Sequence, residues 1–313
     1  MALQAGDDRS LAAEEPECQK KRAHRGAIGE VWMKGPIYQA RIERNYQVGV
    51  SEDGVAGLWR ELSECLPKYG LHPIYEITCV GSVYFDNRDC DLTRYTVING
   101  GRHILVRLRT YENYGESPKP ISDYWVEVKI REKERWRKKR FRLHRADLPG
   151  FLEGRDGGQS VLDYNQNGVD PEVIRNLYRE TQETVLTTGL KPVLLLTYKR
   201  MAFQNEIERL CLDWDIQSYH VGTDVYSYDS WKYPIEEPVG KSDKTILELK
   251  YPQSSPPAWI ADLEKRYPIR ETNFSKYVEG MGFLFQGPLK HHKEANSFLR
   301  KIEAYRPESQ PLG

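Results

Sequence analysis

Two short stretches carry the residues best suited to chemistry: Val106-Arg107-Leu108-Arg109-Thr110-Tyr111 and Trp125-Val126-Glu127-Val128-Lys129-Ile130. Guanidinium, carboxylate and ammonium groups alternate there with apolar side chains. On a β-strand, whose successive side chains point to opposite faces, this spacing sets Arg107 beside Arg109, and Glu127 beside Lys129, on one ionic face. A single strand of this kind would simply turn its charged side to water. The pattern recurs, however, at Thr197-Tyr198-Lys199-Arg200, at Arg209-Leu210-Cys211-Leu212-Asp213 and at Ile246-Leu247-Glu248-Leu249-Lys250, with bases outnumbering acids. Several strands that share a cationic face describe a site for a compact polyanion.

Composition limits how that face is used. The chain has 313 residues, 46 basic against 46 acidic side chains and 39% hydrophobic content, enough for one large domain or two small ones with a full core. A neutral chain is not coated for general binding to nucleic acid or membrane, so the cationic patch must be local and no nucleic-acid partner is expected. Five cysteines (Cys18, Cys65, Cys79, Cys90 and Cys211) form no C-x-x-C pair and sit beside no histidine at zinc spacing, which fits a reduced compartment. No apolar run reaches the roughly 18 to 20 residues of a membrane helix, and no signal-peptide core is present. The expectation is a cytoplasmic protein with no membrane span in this chain.

The elements that must position these residues follow from periodicity. Residues 1–38, with the basic cluster Lys20 to Arg25, read as a disordered tail. Ile42 to Val48 is a first strand, and Ser51 or Asp53 caps a helix bearing Val55, Leu58, Trp59, Leu62 and Leu66, stopped by Pro67 and Gly70. Glu76 to Asp86 is a strand, Leu92 to Thr96 a short turn or helix, and Asn99-Gly100-Gly101 a tight turn into the Arg107 strand. The basic run after Lys129 has only Trp136 and Phe141 as stacking platforms. Its alternation of Lys138, Arg140 and Arg142 therefore reads as one more strand of the same sheet. Gly154 to Gly168 is a polar loop, and Asp170-Pro171 opens a connecting helix that stops at Gly189. Val193 to Met201 and Glu208 to Ile216 form a hairpin, Tyr219 to Asp243 is an irregular insertion, and Thr245 to Tyr251 is a last strand. Short helices follow Pro257 and Phe274, and a terminal helix falls within His291 to Tyr305. About eight strands with one ionic and one apolar face would close into an antiparallel barrel of the α+β class, its lumen cationic and its helices packed outside. Such a lumen would be costly when empty, because like charges repel and lose hydration, and bound polyphosphate with a metal ion would relieve the cost.

Seven motifs in register then match one family: S-x-Y-F-D-N at Ser82 to Asn87, R-L-R-x-Y at Arg107 to Tyr111, V-E-x-K at Val126 to Lys129, Y-x-R at Tyr198 to Arg200, R-x-x-L-D at Arg209 to Asp213, L-E-x-K at Leu247 to Lys250 and F-S-K-Y at Phe274 to Tyr277. Over roughly residues 39–290, with a C-terminal helix and tail at 291–313, the chain resembles the catalytic domain of the vacuolar transporter chaperone (VTC) polyphosphate polymerases, CYTH-like members of the triphosphate tunnel metalloenzymes. The resemblance implies a triphosphate tunnel in which Arg107, Arg109, Lys129, Arg200 and Arg209 grip ATP or another triphosphate and the growing polyphosphate chain. It further implies that Lys138, Arg140, Lys250, Ser275 and Lys276 extend the phosphate track. Manganese or magnesium is expected on Glu248, with Glu127 as a helper. The family's E-R-K-Y reads here Glu43-Arg44-Asn45-Tyr46, and Asn273 stands where a further lysine is usual. Asn45 can still donate a hydrogen bond to phosphate, but charge-assisted contacts are roughly twice as strong as neutral ones. The implied activity is transfer of the ATP γ-phosphate to polyphosphate. A triphosphatase on the same scaffold and a non-catalytic polyphosphate-binding module are the alternatives, and any membrane partner is left open.

The duller account of the same residues is pairing across strands, Arg107 and Lys129 with Glu127 and Glu248, at about 0.2 to 1 kcal/mol per pair. Asp213 reads as the structural partner of an arginine.

Overall fold

The computed structural model describes residues 42–305, apart from 51, 99–101, 133–134, 167, 235 and 253–255. The expected N-terminal tail, the Ser51 cap and the Asn99-Gly100-Gly101 turn lie outside the described residues. The elements in chain order are β1 (Ile42–Val48), α1 (Glu52–Cys65), β2 (His72–Pro73), β3 (Thr78–Asp86), α2 (Asp91–Thr93), β4 (Arg102–Asn113), β5 (Asp123–Glu132) and β6 (Arg135–His144). They continue as α3 (Leu148–Leu152), α4 (Gly158–Tyr164), α5 (Pro171–Thr187), β7 (Lys191–Gln204), β8 (Arg209–His220), β9 (Gly240–Lys241) and β10 (Thr245–Tyr251). The chain then passes through α6 (Ala258–Glu264), β11 (Ile269–Thr272), α7 (Lys276–Gln286) and α8 (Ala295–Tyr305). The polar stretch read as a loop between Gly154 and Gly168 contains α4, whose Val161 faces the core.

The strands form one antiparallel sheet in the order β11-β1-β10-β8-β7-β3-β4-β5-β6, with β2 beside β7 and β9 beside β8. This corrects the expectation of a closed barrel of about eight strands: among the described residues there are eleven, and the outermost strands β11 and β6 do not pair. Alternation tells a residue which face to take and says nothing of whether two edges meet. Here one edge has four residues, and the other carries Lys138, Lys139, Arg140 and Arg142, charges of the kind that discourage edge pairing.

The open sheet is nevertheless strongly curled. Lys129 on β5 reaches Glu43 on β1 at 2.8 Å, although the two strands are six places apart in the sheet. In a flat sheet six spacings of about 4.8 Å would hold them roughly 29 Å apart. The ionic face is therefore the inside of the curl, and side chains bridge it where backbone hydrogen bonds do not.

The outer face is apolar and covered by helices. Around Val106, Leu108, Val126 and Phe141 it packs on Ile174, Leu177, Tyr178 and Val185 of α5. Around Tyr46, Leu210, Leu212, Leu247 and Leu249 it packs on Val55, Leu58 and Leu62 of α1 and on Trp259, Ile260 and Leu263 of α6. One helix departs from the expected arrangement. On β7, Leu194 and Leu196 alternate in step with Tyr198 and Arg200, so they share the ionic face, and it is there that Tyr277, Met281 and Leu284 of α7 pack. The close approach depends on Gly280, where a Cβ would stand 2.9 Å from the methyls of Leu194 and Leu196. Thus α7 fills part of the inside of the curl, and its first residue, Lys276, enters the ionic site.

The 219–243 insertion acquires a structural role. Trp231 is fully buried and stacks on Tyr124 at 5.2 Å. Next to it, the Lys232 ammonium donates to the carbonyls of Asn113, Tyr114 and Glu116 at 2.8, 2.7 and 2.6 Å, satisfying all three of its protons and clamping the turn that leads from β4 to β5.

Candidate polyanion site

Seven strands and α7 deliver charge to the inside of the curl, and the groups are arranged as carboxylates each held by several cations. The Glu127 carboxylate on β5, 1% exposed, accepts from Nε and Nη2 of Arg107 at 2.8 and 2.6 Å. It is also paired with the Lys138 ammonium and lies 3.7 Å from Arg109 and 3.8 Å from Arg140. The register explains the crowding: Arg107 on β4 and Arg140 on β6 stand directly opposite Glu127 on either side. Arg107 completes its fork with Tyr84 Oη at 2.7 Å, Arg109 donates to Ser82 Oγ at 3.0 Å, and Arg140 lies over the Trp125 ring at 4.2 Å.

A second group forms where β7, β8 and β10 meet. Arg200 grips Asp213 with two parallel hydrogen bonds of 2.6 Å, and Lys276 reaches the same carboxylate at 2.6 Å. The opposed register of Arg200 and Asp213 makes the bidentate pair possible, and Asp213 is an arginine's partner as its spacing implied. Glu248 is held by Lys250 at 2.5 Å and lies 3.7 Å from Arg200. Arg209 donates to Tyr75 Oη at 2.6 Å and to Cys211 Sγ at 3.1 Å.

Two residues at the seam mattered more than their sequence context suggested. Glu43 pairs with Lys129 and lies 3.9 Å from Lys250, joining the two groups. Tyr75 orients Arg209 from outside any strand. Nothing local marks either one: Glu43 has its role because the sheet curls, and Tyr75 because the chain folds back. The Ser275 hydroxyl accepts from the Val278 amide as the N-cap of α7, which leaves its own O–H free to donate. Asn45 donates through Nδ2 to the Phe274 carbonyl at 3.0 Å.

Among the described residues, the two groups bring nine cations (Arg107, Arg109, Lys129, Lys138, Arg140, Arg200, Arg209, Lys250 and Lys276) together with four carboxylates (Glu43, Glu127, Asp213 and Glu248). Burial pushes the Glu127 carboxyl up, but Lys138, Arg107, Arg109 and Arg140 together hold it well below the usual carboxylate range. Glu248 is likewise pulled well down, against its burial, by Lys250, Arg200 and Lys276. Lys138 is pushed well below the ordinary lysine range by burial and by the neighbouring arginines, a push that Glu127 and the 37% exposure of its side chain both oppose. Because the carboxylates are depressed, they contribute stability that is fully present above their ordinary pKa of about 4.3 and lost only as pH falls through the lower folded values. Thermal midpoints measured from pH 7 downward are expected to hold to about pH 4 and then to fall steeply, and Glu127→Gln is expected to flatten that fall.

No group of three or more histidine, cysteine, aspartate or glutamate side chains able to hold a metal occurs among the described residues. A divalent ion that shares its shell with substrate phosphates needs only one or two protein carboxylates. The neighbourhood of Glu248 fits that lesser requirement. Asn45 stands opposite Glu248 on the adjoining strand, and its buried Oδ1 has no hydrogen-bond partner among the described residues, leaving a carbonyl oxygen beside the carboxylate.

Fold and site together define a curled antiparallel sheet whose inner face carries an excess of arginine and lysine over carboxylates. The chain belongs to the VTC domain family, whose model matches residues 38–285. It is 27% identical over 292 residues to the vacuolar transporter chaperone complex subunit 4 of Schizosaccharomyces pombe, covering 80% of this chain and 38% of that protein. Subunit 2 of the same complex and organism is 23% identical over 265 residues, 75% of this chain and 33% of that one. The chain thus spans between a third and two fifths of the length of these relatives. Among solved structures, a Mimivirus capping enzyme triphosphatase aligns with 72% of this chain and 86% of its own, at 10% identity and a TM-score of 0.30.

Proposed function

We propose that this chain binds the triphosphate of ATP and inorganic polyphosphate along the inside of the curl, with a divalent metal bound, and that a terminal phosphate oxygen of the polyphosphate forms the new P–O bond to the γ-phosphorus as its bond to ADP breaks and ADP leaves. The observation that supports this reading most is the excess of nine cations over four carboxylates, drawn from strands across the sheet onto one enclosed face. Relatives named for a vacuolar transporter chaperone complex support the same direction.

Phosphoryl transfer proceeds through a loose transition state with charge spread over the equatorial oxygens, so the protein's work is alignment and cationic stabilisation. No nucleophilic side chain is needed. Arg107, Arg109 and Arg200 offer forks for bidentate contact with phosphate, while Lys129, Lys138, Lys250 and Lys276 supply point charge on flexible stems. Each now rests on a carboxylate or hydroxyl, so arriving phosphate exchanges one acceptor for another and no bare cation has to be stored. On this reading Glu127 serves as counter-charge and Glu248 would hold the metal, manganese or magnesium, which supplies charge stabilisation at the phosphoryl oxygens when bound. We assign the activity to the cytoplasm; among the described residues no helix is long and apolar enough to cross a membrane.

The test is to incubate purified protein with ATP and manganese while following polymer and free phosphate together. Acid-stable chains are the expected product. Phosphate release without polymer would replace this reading with a triphosphatase, and tripolyphosphate binding without turnover would replace it with a binding module.

A further inference from the structure

Asn45 invites a reading other than that of a weakened phosphate contact. Its amide orientation is fixed by chemistry: only Nδ2 can donate to the Phe274 carbonyl, 3.0 Å away, so Oδ1 must point elsewhere. That oxygen is buried and has no hydrogen-bond partner among the described residues. A buried amide oxygen left without a donor keeps its full desolvation penalty, so such a group calls for an explanation.

Its surroundings supply one. Asn45 alternates on β1 with Glu43, which binds Lys129 across the inside of the curl, so both face the ionic site. In the register with β10 its direct partner is Glu248, and directly opposed side chains on antiparallel strands have Cβ atoms about 5 Å apart. A neutral carbonyl oxygen next to a carboxylate is a poor seat for phosphate, which it would repel. It is a good seat for a hard divalent cation, for which carboxylate and carbonyl oxygens are the preferred protein ligands. The Glu248 carboxylate is held in this structure by Lys250, a long side chain two residues along the same strand, and lies 3.7 Å from Arg200, two cations whose place beside it a metal ion would take.

We propose that Asn45 Oδ1 and Glu248 together hold the divalent cation of this site, Asn45 being a metal ligand in place of a phosphate contact. The proposal rests on the polyanion-binding reading above, and the test separates the two. Affinity for tripolyphosphate is measured calorimetrically with and without manganese, so that the ratio reports the metal's contribution independently of turnover. For the unaltered protein the ratio should favour manganese. Asn45→Asp, nearly isosteric, should widen it, and Asn45→Ala should narrow it about tenfold, the low end of what losing support of a metal site costs. Asn45→Lys, which puts an ammonium where the oxygen stands, should abolish the ratio while tightening metal-free binding. If Glu248→Gln collapses the ratio and all three Asn45 variants leave it unchanged, Asn45 is not a ligand and the proposal is overturned. If tripolyphosphate binds neither with nor without manganese, the functional reading itself fails.

Discussion

Replacing Arg109 with alanine is expected to lower the rate of phosphoryl transfer by about 10²- to 10³-fold, the usual consequence of deleting one preorganised donor to a charged transition state. Arg109 is 5% exposed, is fixed by Ser82 and Tyr111, and is only 3.7 Å from Glu127, so it is less committed to a carboxylate than Arg107 or Arg200. Its guanidinium is therefore more available to a ligand than either of theirs. Arg109→Lys should restore little, because an ammonium keeps the charge and loses the planar fork that matches two phosphate oxygens. The apo fold should survive both substitutions: removing one cation from beside Arg107 relieves repulsion and leaves Glu127 with three cationic neighbours. Single-turnover rates and apo thermal midpoints measured on the same samples check both halves. Near-complete recovery in Arg109→Lys would show that point charge suffices and that the fork does nothing specific.

How far such a site can be read from the chain depends on which interactions are local. The faces were legible because alternation at Arg107 and Arg109, at Glu127 and Lys129, and at Glu248 and Lys250 is a property of each strand alone, and the structure keeps every one of these residues on the inner face. The Arg200–Asp213 pair was legible for a similar reason: the two strands form a hairpin, and a hairpin fixes its own register.

What escaped the sequence depends on long-range geometry. Glu43 reaches Lys129 only because the sheet curls through six strand spacings, and no local pattern reports curvature. The unpaired edges are of the same kind. So is the position of α7: a helix with one apolar face can pack on either side of a sheet, and Gly280 lets it sit against Leu194 and Leu196 inside the curl. In the 219–243 insertion the informative residues, Trp231 and Lys232, act on β4 and β5 from more than a hundred positions away.

Glu127→Gln should produce the opposite signature to Arg109→Ala: a less stable apo protein that binds tripolyphosphate more tightly. The neutral amide keeps the shape of the side chain but removes the buried charge on which Arg107, Arg109, Lys138 and Arg140 converge. Breaking a buried ionic group by removing one partner costs about 3 to 5 kcal/mol, because the remaining charges stay desolvated and uncompensated. For a domain of this size that lowers the thermal midpoint by roughly 10 °C. Tripolyphosphate would then supply the missing negative charge without having to displace a carboxylate, so its stabilising effect, which grows with the ratio of concentration to dissociation constant, should be larger than in the unaltered protein. The measurement is a pair of midpoint titrations against tripolyphosphate, one for each protein. Parallel curves would mean that Glu127 does not compete with phosphate for these cations, and the exchange of one acceptor for another at the heart of the proposed chemistry would have to be abandoned.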